Sequence, residues 1–387
     1  MDLFDPIDAL LERIRVAASA PRKPVLRVRG SGSKDFHGAD LQGEVLDTRA
    51  LSGIINYEPS ELVVTVLAGT PLADVQAALA AAQQYFAFEP PHFGAGTTVG
   101  GMVASGLSGP ARATAGAVRD FVLGARLVNG LGEHLTFGGQ VIKNVAGYDL
   151  SRLLCGSWGT LGVITEVSLK VLPVAPAEAT LRCTGLGQAA ALALLHRWGA
   201  QPLPLNASCW VHDDSASPAV DSLYLRLRGA AAALRAAIPR MLDDLHAAGG
   251  MAEQMDKAQA ALDWQACADQ TLPFFTRPPS PQHALWRLSL PQTAPVLDLP
   301  YPVMVEWQGA QRWLWAPASA AALMRQAAHA AGGHATLFRT SGAGGEADKS
   351  VGVFSPLPPV QRRIQTELQR QFDPHGLFAT GRLGMSA

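Results

Sequence analysis

The tightest constraint on this chain lies between Glu89 and Asp120, which reads EPPHFGAGTTVGGMVASGLSGPARATAGAVRD. Gly94, Gly96, Gly100, Gly101, Gly106, Gly109 and Gly116 punctuate it, with Thr97, Thr98, Ala104, Ser105 and Ser108 between them. Hardly a side chain here is large enough to fill a core. Such a stretch is either a linker or a backbone pressed against something flat, since glycine allows close approach at a cost in chain entropy. Linkers are richer in charge and lack regular apolar residues. Phe93, Val99, Met102, Val103 and Leu107 recur through this segment, so burial against a ligand is the reading that fits.

The 387 residues allow two to three domains, or one large domain with an insertion. A hydrophobic share of 48% and a charged share of 16% describe a globular chain with a sizeable core. The net charge of −1 leaves no electrostatic footprint for nucleic acid or an acidic membrane. No apolar run is long enough to span a bilayer. The opening MDLFDPIDALLERIRVAA does not read as a signal peptide, because acids begin it and Glu12, Arg13 and Arg15 interrupt its apolar run. Ile7, Leu10, Leu11 and Ile14 instead predict an amphipathic helix with Pro6 at its first position. Cys155, Cys183, Cys209 and Cys267 form no Cys-x-x-Cys pair, so neither a metal site nor an iron–sulfur cluster has support.

Along the chain, Pro24 to Val28 is a short strand running into Arg29-Gly30-Ser31-Gly32-Ser33-Lys34-Asp35. A Gly/Ser loop after a strand can form a nest of N–H groups for a phosphate. This loop lacks the P-loop ending and the dinucleotide-fold glycine spacing, so a plain tight turn fits it equally. Strands follow at 44–46 and 62–67, then a helix with Thr70 as cap and Pro71 at its start. Asn129-Gly130 marks a hairpin between strands 121–128 and 133–137. Ser157 to Gly162 is a second glycine-punctuated turn before the β-branched strand 163–172. Pro173 to Pro176 marks a boundary. Beyond it, helices at 188–198, 229–248 and 319–331 interleave with strands at 222–228, 284–290, 303–307 and 312–315, an α+β pattern. Trp313 and Trp315 fall on one strand face, as core or as the wall of a site.

Taken together, the strand with its RGSGS loop, GTTVGGMVASGLSGP and KNVAGYDLSRLLCGSWGTLGVITE resemble the FAD-binding domain of the vanillyl-alcohol oxidase and p-cresol methylhydroxylase (PCMH) family, and within it the bacterial glycolate oxidase subunits. Near the end, FDPHGLFATGRL resembles the family's terminal Phe-Asp-Pro-x-Gly-Ile-Phe-Asn-Pro-Gly-Arg, with Ala379 and Thr380 in place of Asn-Pro. The resemblance implies an α+β chain: a two-subdomain PCMH-type FAD-binding domain over 1–175, a smaller α+β cap over 176–350, and a tail, 351–387, returning to the first domain. It implies that Gly30, Ser31, Gly32, Ser33 and Lys34 wrap the FAD pyrophosphate, and that Gly96, Thr97, Thr98, Gly100 and Gly101 pass close to the pyrophosphate and ribityl chain. Ala104, Ser105 and Gly106 would lie near the flavin ring, Gly162, Val163 and Ile164 would meet the cofactor through backbone, and Arg382 would approach the flavin or a carboxylate. Covalent members carry His where this chain has Ser33, so noncovalent FAD is expected.

The cap of catalytic relatives carries a His-x-x-Asp-Gly-Asn cluster, and no Asp-Gly-Asn follows His334 here. The catalytic residues therefore stay unassigned, with His92, Tyr148, Arg339 and His375 as candidates for base or carboxylate clamp. The leading function is an FAD-binding subunit of a glycolate oxidase complex that oxidises a small 2-hydroxy acid, glycolate, to glyoxylate. Its implied partners are a paralogous FAD-containing catalytic subunit and an iron–sulfur subunit that takes the electrons. A noncatalytic FAD-binding relay or scaffold subunit, or a free-standing FAD-dependent alcohol oxidase, stays open. The implied location is cytoplasmic, with peripheral attachment at the inner membrane through partners also open.

Overall fold

The computed structural model describes residues 6–39, 41–139, 149–213 and 218–384. The chain divides into two compact units. Unit 1 comprises Met1–Leu107, Ala117–Pro173 and Pro356–Ala387, and unit 2 comprises Ser108–Gly116 and Val174–Ser355. The sequence reading kept the whole glycine-rich stretch within a first domain of 1–175. The structure splits that stretch, and Ser108–Gly116 groups with unit 2. The reason is local: Trp307 Nε1 donates to Gly109 O (3.0 Å) and Thr114 Oγ1 donates to Asn206 O (2.6 Å).

Among the described residues, unit 1 holds nine strands: β1 (Leu26–Arg29), β2 (Glu44–Asp47), β3 (Ile54–Glu58), β4 (Val63–Leu67), β5 (Gln84–Tyr85), β6 (Val122–Val128), β7 (His134–Gly138), β8 (Val163–Lys170) and β9 (Leu172–Pro173). β1 and β2 pair in parallel, and β3-β4-β8-β6-β7 form an antiparallel five-stranded sheet. β4 is a nearly continuous buried run because it lies inside the sheet, whereas β3 is an exposed edge. The helix after β4 runs Leu72–Ala81 with Pro71 as its cap and no side-chain capping bond. Thr70, the expected cap, instead donates to Leu67 O (2.6 Å).

The C-terminal tail closes unit 1. Leu377 and Phe378 are fully buried among Leu10, Ile14, Leu26, Leu46, Val128 and Val163. Asp373 fixes their turn by accepting from Leu377 N (2.9 Å) and Phe378 N (2.6 Å), and Leu26 N donates to Leu377 O (2.6 Å). The first helix, Pro6–Ser19, contributes Leu10, Ile14 and Ala17 to the same cluster, as its periodicity predicts.

Unit 2 adds β10 (Ala177–Thr184), β11 (Leu205–Asp213), β12 (Val220–Gly229), β13 (Met251–Gln254), β14 (His283–Ser289), β15 (Val303–Glu306), β16 (Gln311–Pro317) and β17 (His334–Arg339). They form one antiparallel sheet in the order β13-β10-β12-β11-β15-β16-β14-β17. The order contains a repeat. β10, helix Gln188–Gly199, β11, β12, helix Ala231–Ala247 and β13 make a βαββαβ unit. β14, β15, β16, helix Ala321–Ala330 and β17 repeat it without the first helix, and the halves join edge to edge at β11 and β15.

Leu181, Leu223, Leu225 and Leu227 pack on helical Leu194, Leu195, Trp198, Met241 and Leu245 in the first half. Ala284, Trp286, Leu288 and Leu314 pack with Met324 and Ala328 in the second. Strand alternation therefore sends Cys209, Tyr224, Arg287, Glu306, Gln311, Trp313 and Trp315 to the opposite face.

Phe378→Ala empties a fully buried site at the junction of tail, first helix and β1. It is expected to cost about 3–5 kcal/mol in urea unfolding of the FAD-free chain. A loss below about 1 kcal/mol would mean that the tail is not part of the unit 1 core.

Candidate active site

A cleft opens in unit 1 at the end of β1. Its wall is the loop Gly30 to Asp35, its floor is Thr98, Gly100, Gly101 and Ala104 of the glycine-rich segment, and Trp158, Gly162, Ile164 and Arg382 complete it. The floor is a short helix, Val99–Ser105, started by Thr98, whose hydroxyl accepts from Gly101 N (3.2 Å). Small residues are required there by geometry. A Cβ on Gly100 would meet Ala68 Cβ at 2.7 Å and Ala68 O at 2.9 Å, and one on Gly30 would overlap Thr98 Oγ1.

The loop presents donors without acceptors. Asp35 N donates to Gly32 O (3.0 Å) and Ser33 N to Ser31 Oγ (3.4 Å). Among the described residues, no acceptor meets the amides of Ser31, Gly32 or Lys34. Arg29 Nε donates to Asp35 Oδ2 (2.7 Å), which ties the two ends of the loop together. Lys34 is 7% exposed, and among the described residues its ammonium has the Ser33 hydroxyl alone as hydrogen-bond acceptor, at 3.5 Å. Burial, and then the charge of Arg382, lower Lys34 to about 8. Arg382 is also 7% exposed, lies 4.5 Å over the Trp158 ring, and donates through Nη2 to Lys34 O. Its Nε has no partner among the described residues, and burial lowers the group to about 10. Free amides, an ammonium and an orphaned guanidinium N–H around a glycine floor suit the diphosphate of a dinucleotide.

The structure gathers most of the expected contacts but not all. Gly30 to Lys34, Thr98, Gly100, Gly101, Ala104, Gly162, Ile164 and Arg382 line the cleft. Thr97 stands behind the loop and donates to Ser33 Oγ (2.9 Å), and Gly96 is an exposed turn residue. Ser105 is buried and donates back to Met102 O (2.9 Å), so its hydroxyl closes the helix rather than facing the cleft. Gly106 ends that helix in a left-handed conformation, and Val163 packs in the unit 1 core.

Of the catalytic candidates, His92 Nε2 pairs with Gln76 Oε1 (2.7 Å), and His375 is an exposed residue of the tail turn. Arg339 belongs to unit 2, where it donates to Gln270 Oε1 (2.9 Å). None of these three lines the cleft. Tyr148 lies outside the described residues. Sequence reasoning passed over Trp158, which takes a left-handed φ of 54° and offers its ring to Arg382 and, at 4.9 Å, to His37. The available signal was a bulky aromatic inside a glycine-punctuated turn.

Comparison with known proteins agrees with this geometry. Residues 6–138 match the family described as FAD binding domain. Glycolate oxidase subunit GlcE of Escherichia coli is 43% identical over 98% of this chain and 97% of its own. Glycolate oxidase subunit GlcD of Bacillus subtilis is 32% identical over 44% of this chain and 36% of its own. In fold, a solved alkyldihydroxyacetonephosphate synthase matches with a TM-score of 0.66 over 96% of this chain and 73% of that one, at 14% identity.

Lys34 gives a signed expectation. Its lowered value means that the unfolded chain holds a proton that the folded chain sheds between about 8 and 10.5. The burden of a buried cation is present below that window and fades as pH rises through it. Lys34→Met therefore raises the melting temperature of FAD-free protein at pH 7, and the gain shrinks toward pH 10.5. A lower melting temperature at pH 7, or a gain independent of pH, would contradict this reading.

Proposed function

On the premise that this chain belongs to the family of FAD-binding glycolate oxidase subunits represented by GlcE, and is thus a flavoprotein subunit of a hydroxy-acid oxidoreductase, we propose that its unit 1 cleft holds FAD noncovalently and serves the oxidation of glycolate to glyoxylate, with electrons passing to an iron–sulfur partner subunit. One observation carries the reading: the loop of unpaired amides faces a cleft that also holds the buried Lys34 and Arg382 and almost no acid.

When bound, FAD supplies a two-electron acceptor for the hydrogen at an alcohol carbon. The rest falls to the chain. The amides of Ser31, Gly32 and Lys34 would hold the diphosphate, and the Lys34 ammonium would neutralise its charge in a site with little water. A diphosphate there raises Lys34 back toward its ordinary value, so cofactor binding relieves the strain of the buried cation. Ser33, an unactivated hydroxyl on the loop, offers no ring nitrogen for attachment to a flavin. Arg382, fixed on Trp158, keeps one N–H for an anionic or carbonyl acceptor.

The iron–sulfur partner is proposed from the likeness to glycolate oxidase subunits. Among the described residues no group of three or more His, Cys, Asp and Glu could hold a metal. No helix among them is long and apolar enough to cross a membrane. A second reading, a relay subunit whose partner carries the chemistry, draws support from the catalytic candidates, since His92 and Arg339 are committed to glutamines.

Purified chain is expected to be yellow, and trichloroacetic acid is expected to release its flavin entirely into the supernatant. Flavin left in the pellet would overturn noncovalent binding. Anaerobic glycolate is expected to bleach the bound flavin of the isolated chain. Flavin that stays oxidised until a GlcD-type partner is added would establish the relay reading instead.

A further inference from the structure

A second cavity opens in unit 2, between the sheet and the helix Lys257–Ala268. Two of the chain's four cysteines, Cys209 and Cys267, line it together with Tyr224, Trp264, Phe274 and Met304. The other two stand apart: Cys183 packs in the helix-covered core of the first half, and Cys155 belongs to unit 1. Neither Cys209 nor Cys267 has a part in the FAD cleft.

Strand register and helix placement bring the two sulfurs to one point. Cys209 on β11 lies directly across from Glu306 on β15 and Tyr224 on β12. Directly opposed residues share a face and are close neighbours, so the Cys209 thiol and the Glu306 carboxyl stand side by side. Cys267, in the last turn of the helix, donates through Sγ to Glu306 Oε1 at 3.3 Å. The Cys209 thiol is itself a hydrogen-bond partner of Cys267. Hydrogen bonding with Cys209, then burial and the Glu306 charge, push the Cys267 thiol well above its usual range, so that it keeps its proton.

The helix that carries Cys267 is fixed along its length. Asp256 caps it by accepting from Gln259 N (2.9 Å), and Trp264 Nε1 donates to Thr180 Oγ1 (2.9 Å). Arg226 lies 4.9 Å from the Trp264 ring centre and holds that ring against the sheet. The two thiols are therefore held together at the wall of one cavity, and a disulfide needs only that the sulfurs close to about 2 Å.

We propose that Cys209 and Cys267 form a redox-active dithiol, which a hydroperoxide entering this cavity converts into an intramolecular disulfide that fastens the helix Lys257–Ala268 to β11. Attack of the Cys209 sulfur on one peroxide oxygen breaks the O–O bond, and the hydroxide released takes the thiol proton, which leaves a sulfenic acid and one water. The Cys267 sulfur then attacks the Cys209 sulfur. The S–S bond forms as S–O breaks, and the Cys267 proton leaves with the hydroxide as a second water. The two thiols lose two electrons and the peroxide gains them. Glu306 holds the Cys267 sulfur in place through the S–H bond and is itself unchanged. The site depends neither on FAD nor on the function proposed above.

The test treats the full chain with hydrogen peroxide, removes the excess with catalase, blocks the remaining thiols in denaturant with N-ethylmaleimide and maps the unreduced tryptic peptides by mass spectrometry. Wild type is expected to fall from four free thiols to two, with one species joining the Cys209 and Cys267 peptides, and dithiothreitol is expected to restore all four. The oxidised form is expected to melt several degrees higher, because the bridge closes a long loop. Dimedone is expected to label Cys209 in Cys267→Ser, where no second sulfur resolves the sulfenic acid, and absence of that label overturns the order of the two steps. Four intact thiols after peroxide, a bridge between any other pair or between two chains, or sulfinic acid without a bridge overturns the proposal. The wild-type map decides even where the serine variant does not fold, since it needs no substitution.

Discussion

Lys34 is a cation almost withdrawn from water, with a hydroxyl rather than a carboxylate beside it, and much of unit 1 is arranged to keep it so. β1 delivers the loop, and the Arg29–Asp35 pair bends it, which occupies the loop's acid. The tail brings Arg382 onto Trp158 and against the Lys34 carbonyl. The tail can do this because Leu377 and Phe378 anchor it in the core, with Asp373 holding their turn. Removing the ammonium would make the FAD-free fold more stable. Its retention makes sense when a dianionic group completes the site, because an uncompensated buried charge opposes folding and a compensated one supports binding.

Unit 2 solves a different problem. Its βαββαβ half, and the second half that lacks the first helix, cover one sheet face with helices, whereas on the other Cys267 and Phe275 pack against Glu306 and Trp313. Glu306 has every oxygen satisfied, which makes it structural despite the rise in its carboxyl from burial. Arg287 donates through Nε to Gln311 and lies within the field of Glu306.

Much of this was legible in the residues. The glycine stretch announced a close backbone approach, and the helix Val99–Ser105 with its flanking glycines makes one. The β-branched runs at 63–67 and 163–170 are central strands, and the 129–130 turn is a hairpin. What escaped reading was set by tertiary partners. Nothing local says that Ser105 turns inward to Met102, or that Ser108–Gly116 leaves unit 1 for a tryptophan roughly two hundred residues away. Arg112 and Arg287 are ordinary arginines in sequence and meet only because β14 and the 307–309 turn bring them to one indole. His92 and Arg339 looked reactive as lone polar residues, and each is bonded to a glutamine that no motif foretells.

The central claim is that the diphosphate, rather than the ring, is what unit 1 grips. Comparing FAD with riboflavin on the flavin-stripped chain, by quenching of flavin fluorescence, tests it most directly. The account predicts that FAD binds about a hundredfold more tightly than riboflavin, with most of that gap lost in Lys34→Met. Equal affinities for the two flavins would contradict it.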